Sequence, residues 1–215
     1  MSIKKPSKNE LLKIIIQAAR SYDTYLNNKN ILVFFSNKAH IEDIEITFKP
    51  EHFLHLTGVA ANVKAKVFLK KCLESKLSPR DFELKTDGTT LQKAQVLLAA
   101  MQLPFTAKML GTFANSGINL YSEKAIGNIR YTVGLIDRNG YIPNTLLNAD
   151  IRSSVKPSYK IQAIFIKNIG DTLYHQYSIC QEVNSSRDYC STHQLLDAES
   201  TWLQLTREIS RLSHK

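Results

Sequence analysis

The sequence predicts an α+β fold: N-terminal helices and a hairpin packed with an antiparallel sheet of about four to six strands, and a closing C-terminal helix. Three patterns point there. Early on, Leu11, Ile15, Ala18, Tyr22 and Leu26 recur at helical spacing. From Ile118 to Ile166 the chain turns to short β-rich runs with few helices between them, which argues against a doubly wound parallel sheet. Helical spacing returns in Leu195, Ala198, Trp202, Leu205, Ile209 and Leu212.

Each element has a local reason. Ser7 and Glu10 form a capping box that opens the first helix, and Asn27 to Asn30 stop it. Ile31–Phe35 is a β-branched and aromatic run, read as a buried strand. Ile44, Ile46 and Phe48 alternate with Asp43, Glu45 and Thr47, so a half-exposed strand pairs with it in a hairpin. Pro50 ends that strand, and residues 50–58 read as a short helical turn closed by Gly58. A lysine-rich helix follows, with Ala65, Phe68, Leu69, Cys72 and Leu73 inward. Ser78-Pro79-Arg80-Asp81 starts another short helix. Asp87-Gly88 is a turn, and Leu91 to Met101 is a helix ended by Pro104. Ile118–Tyr121 is a short strand. Arg130–Ile136 and Tyr141–Leu147 flank Asp137-Arg-Asn-Gly140, where Asn-Gly accepts positive φ cheaply. Ile161–Ile166 is a further strand, and a weaker one runs from Leu173 to Val183.

The chain of 215 residues, 43% of them hydrophobic, suits one domain with one core. No apolar run nears the ~18–20 residues that span a bilayer, and no secretory leader pattern is seen. A cytoplasmic protein without a membrane contact is the expectation. Cys72, Cys180 and Cys190 match no zinc spacing and are expected to be reduced. The phosphate-binding glycine loops, HExxH and GxSxG are absent from the sequence, so neither cofactor nor metal is expected. Charge is more telling. The net is +9, and residues 1–80 hold 14 basic against 7 acidic side chains. Residues 171–215 hold 4 basic against 6 acidic ones. A field of this sign favours an anionic polymer, RNA first among them.

Four segments stand out. Phe53-Leu-His-Leu-Thr-Gly58 anchors Phe53 and Leu56 in the core and sets His55 and Thr57 beside a glycine that lets a ligand approach the backbone. His52 shares a helical face with His55 if the turn is helical. Lys124 to Asn128 is followed by Arg130. Pro143 inside a strand calls for an edge or a bulge and displays Asn144 and Thr145 beside it, with Arg152 after the next turn. Lys167 ends an apolar strand. Each has a plainer reading: Asn and Thr cap turns, Arg and Lys solvate edges, and a lone His is more often part of a core than a catalyst.

Taken together and in this order, the FLHLTG segment, Ile126-Gly-Asn128 and Tyr141-Ile-Pro-Asn-Thr-Leu-Leu147 with Arg152 resemble the phage-associated barnase–EndoU–colicin–RelE-like nuclease domains. The resemblance is to the subgroup with an FLHLTG-type motif. It covers residues 8–168 and leaves 169–215 as an extension of unknown role. It implies helices on a four-stranded antiparallel sheet and metal-independent RNA cleavage, often by toxins or phage-encoded effectors.

RNA supplies its own nucleophile, the 2′-hydroxyl. The protein must then provide a base, an acid and cations for the charge growing on phosphorus. Histidine is the side-chain type suited to this range, so His55 is the candidate base or acid. Arg152 and Lys167 are candidates for charge stabilisation, with Arg130 a third. Thr57, Asn144 and Thr145 would bind phosphate oxygens, and Tyr141 would stack on a base or donate a proton. Lys124, Lys64, Lys66, Lys70 and Lys71 would guide the polymer. Two alternatives stay open: a nucleic-acid-binding protein without catalysis, or a phage factor that binds and modulates a host protein. An antidote or host protein is the second kind of partner to look for, and the oligomeric state is not legible.

Overall fold

A computed structural model describes residues 6–37, 40–114, 122–179 and 195–196. Helix α1 (Lys8–Tyr25) opens on the expected box: Ser7 Oγ accepts from Glu10 N–H, and the Glu10 carboxylate accepts from Ser7 N–H. Then come β1 (Lys29–Asn37), β2 (His40–Phe48), α2 (His52–Thr57), β3 (Ala60–Ala61), α3 (Ala65–Leu73), a 3₁₀ turn (Pro79–Asp81) and β4 (Phe82–Glu83). Next are α4 (Thr89–Ala100), α5 (Leu103–Thr106), β5 (Met109–Phe113), β6 (Lys124–Gly127), β7 (Thr132–Asp137) and β8 (Tyr141–Leu147). The described chain ends with α6 (Ile151–Ser154), β9 (Val155–Asn168), β10 (Tyr174–Ile179) and β11 (Leu195–Leu196).

The sheet is larger than the four to six strands expected. Its order is β1-β2-β8-β7-β6-β5-β9, and β9 pairs back onto β1, so seven strands close on themselves. Closure depends on β9, which is 14 residues long. Its first half pairs with β5 (Leu110 opposite Tyr159) and its second half with β1 (Val33 opposite Ile164). All barrel pairings are antiparallel except β2–β8, which meet in parallel at Ile46 and Tyr141. Strands β10 and β11 extend the sheet from β9.

Four of the predicted elements need correction. Met109–Phe113 and Lys124–Gly127 are strands that the sequence reading did not mark. Leu195–Leu196, expected to open the closing helix, pairs as strand with β10. Pro104 does not simply end the preceding helix; it starts the short α5, where a missing N–H costs nothing. The Ile118–Tyr121 strand and the remainder of the closing helix fall outside the described residues.

One face of the barrel and helices α1–α4 share the main core. Ile15, Tyr22, Phe53, Phe68 and Leu97 meet Ile31, Val33, Phe35, Ile46, Leu135 and Ile164 there. On the opposite sheet face, Leu32, Phe34, Ala163, Phe165 and Tyr174 form a second cluster. Cys72 lies in the main core, where burial pushes its thiol up to about 12. Among the described residues, no helix is long and apolar enough to cross a membrane.

Candidate functional site

Strand β2 hands over to α2 through Lys49, whose backbone is held on both sides. Its carbonyl accepts from the Tyr22 hydroxyl (2.7 Å) and from His52 N–H (3.0 Å). Its N–H donates to His52 Nδ1 at 3.1 Å. Phe53 is buried against Tyr22, with ring centroids 5.1 Å apart. Phe53 and Leu56 therefore face the core, and the helical rotation turns His55 outward, where it is exposed. The two histidines of α2 thus part company. His52 is buried and its pKa is pushed down to about 4 by burial, with Glu51 opposing and His55 and Lys49 reinforcing the shift. At neutral pH it is an uncharged acceptor that pins the strand exit.

Helix α4 grips the end of α2. Gly58 closes α2 in the left-handed region at φ +72°, which favours glycine. The Thr90 hydroxyl, one turn before Lys93, donates to the Gly58 carbonyl at 2.7 Å. Lys93 Nζ donates to the His55 carbonyl at 3.0 Å. The lysine stem crosses directly over Gly58: a Cβ there would lie 2.6 Å from Lys93 Cδ. Lys93 is half-buried, and burial first, then the charge of Lys85, push its pKa down to about 8 against the pull of Asp87. The end of β8 is tied to the same helix, since Asn148 Nδ2 donates to Gln95 Oε1 at 2.7 Å.

Residues 14–182 match the family model described as phage-Barnase-EndoU-ColicinE5/D-RelE like nuclease4. The chain belongs to this nuclease family. No curated protein and no solved structure matches it.

Within this nuclease the other singled-out residues fall into separate places. Thr57 is buried, and its hydroxyl donates to the Leu54 carbonyl (2.7 Å), so it caps α2 from within rather than facing a substrate. The expected bulge around Pro143 is present: Gly134 faces Thr145 while Leu135 faces Pro143, leaving Asn144 as the extra residue. Thr145 is buried beside Gly134. Tyr141 packs against the main core with Lys124 Nζ 5.9 Å from its ring centroid. Burial, Asp137 and Glu123 raise its pKa, so the phenol holds its proton at neutral pH.

Lys167 lies apart from His55. Its neighbours on β9 and β1 belong to the second cluster, on the sheet face away from α1–α4. There Nζ sits 4.4 Å from the Tyr174 ring centroid and 3.8 Å from Glu45, whose carboxylate also accepts from the Tyr174 hydroxyl. Arg130 and Arg152 are exposed on adjoining segments, because Ile151 N–H donates to the Asn128 carbonyl at 3.0 Å. Arg152 is engaged with Asp150 through Nε (3.0 and 3.1 Å) and an η-nitrogen (2.5 Å). Asp150 also caps α6, and its pKa is lowered by these bonds from Arg152. Of the α3 lysines, Lys66 pairs with Glu51 (3.8 Å), Lys70 with Glu74 (3.8 Å) and Lys71 with Asp81 (2.5 Å). Lys64 is exposed at the start of α3.

The residue that sequence reasoning missed is Lys93. It is one lysine on a helix that otherwise reads as structural, and no local motif marks it. The indirect signal was Gly58: a glycine closing a helix leaves room for something to cross it, and the crossing residue comes from 35 positions further on.

Proposed function

We propose that this nuclease is a metal-independent ribonuclease that cleaves through the RNA 2′-hydroxyl. The observation that carries it is His55. Its imidazole is exposed on a helix whose every other anchor is fixed: Lys49 on one side, Thr90 and Lys93 on the other. Such a side chain stands on a backbone held in place by its neighbours and is open to a polymer, as acid–base catalysis requires. The net charge of +9 favours a phosphate backbone. His55 would take the 2′-hydroxyl proton as that oxygen attacks phosphorus. The bond from phosphorus to the 5′-oxygen then breaks, leaving a 2′,3′-cyclic phosphate and a 5′-hydroxyl.

Purified protein is incubated with total RNA in EDTA, beside His55→Ala. The expected result is cleavage by the parent to cyclic phosphate ends, reduced ~10²- to 10⁴-fold in the variant. Intact RNA with salt-sensitive binding would instead make it a binding protein. Cleavage only when a divalent ion is restored would reassign the chemistry to a metal.

A further inference from the structure

We propose that Lys93 is the second catalytic group of the His55 site, holding the scissile phosphate and protonating the departing 5′-oxygen. This rests on the ribonuclease reading above.

Three features place it there. Its ammonium is bonded to the backbone carbonyl of His55 itself, so it sits at the residue that carries the exposed imidazole. That carbonyl occupies one of three N–H donors, leaving two for a ligand. Its stem crosses Gly58 where a Cβ would not fit, so the side chain is directed rather than free. The groups facing it are the His55 carbonyl from α2 and, from the turn before α4, Lys85 and Asp87. Lys85 and burial both disfavour its charge, which makes the ammonium a better proton donor than a solvated lysine. In the step proposed, neutral His55 becomes imidazolium as it accepts the 2′-proton. The electron pair of the breaking bond leaves on the 5′-oxygen, which takes a proton from Lys93 and departs as an alcohol. Exchange with water then returns both groups to their starting forms.

The test uses a leaving group that needs no acid. Parent, Lys93→Met, Lys93→Arg and His55→Ala are each given an RNA oligomer with an ordinary linkage and one with sulfur at the bridging 5′ position. Methionine keeps a stem over Gly58 and removes the charge. The expected result is a ~10²- to 10⁴-fold loss for Lys93→Met on the ordinary linkage, shrinking to less than about tenfold on the sulfur linkage. His55→Ala loses activity on both. Parent kcat/KM on the ordinary linkage falls as pH rises through about 8, and in Lys93→Arg this limb moves to higher pH. Equal losses of Lys93→Met on the two linkages, or parental activity in it, would overturn the assignment while leaving His55 in place. A parent that cuts neither linkage removes the ribonuclease reading and this assignment together.

Discussion

In the turn at residues 128–131, Asn128 Oδ1 accepts the N–H groups of Arg130 (2.8 Å) and Tyr131 (3.3 Å), while its Nδ2 reaches the Thr106 carbonyl (3.0 Å). Nearby, Arg152 is tied to Asp150. In α2 Thr57 does similar work on the Leu54 carbonyl, but the carbonyls of His55 and Gly58 are held by Lys93 and Thr90 from α4, and the His55 side chain stands in solvent. Both regions carry polar residues that looked functional in sequence. One uses them to hold its own backbone in shape; the other is held in large part by α4 and leaves the His55 side chain over. A polar residue in a motif becomes a candidate for chemistry when something else does its structural work.

The contrast can be broken most directly by His55→Ala, the largest expected effect. RNA cleavage should drop ~10²- to 10⁴-fold, with the urea midpoint unchanged because the side chain is exposed. Gly58→Ala sharpens the same region. It forces an alanine into the left-handed region and pushes the Lys93 stem aside, so stability should fall by about 1–2 kcal/mol in urea unfolding.

His52 supplies a pH signature. Its native pKa of about 4 lies below the unfolded value near 6.5, so the unfolded chain binds the extra proton between those limits. Its contribution is present above pH 6.5 and is lost as pH falls toward 4. Urea unfolding at pH 7 and 4.5 should show His52→Gln losing less than the parent, by on the order of 1–2 kcal/mol after allowing for partial screening. The smallest effect belongs to the other region. Arg152→Ala should weaken RNA binding by less than about 1 kcal/mol, since the exposed charge is already paired. A loss comparable to that of His55→Ala would erase the distinction drawn here.

The legible parts were those decided within a few residues. The Ser7–Glu10 box, the alternation of Ile44, Ile46 and Phe48, the Gly58 cap and the Asn139-Gly140 turn all took the shapes their chemistry favours. The unread parts are non-local. Strands β5 and β6 are only five and four residues long, and each carries a glycine that weakens its pattern. Closure of the barrel depends on Ile31 meeting Ile166, which no local propensity encodes. The same holds at the site: His55 was visible from its motif, whereas its bond to Lys93 depends on how α4 packs on α2, and the separation of Lys167 from it on which sheet face β9 presents.

That pairing of β1 with the second half of β9 also bears on how the molecule is made. Strand β1 acquires its hairpin partner within a dozen residues, but its other edge stays open until residues 161–168 have been synthesised. A chain emerging from the ribosome therefore carries an unsatisfied β edge through most of its translation. Release of a product truncated before that stretch would yield an unclosed sheet with its main core exposed.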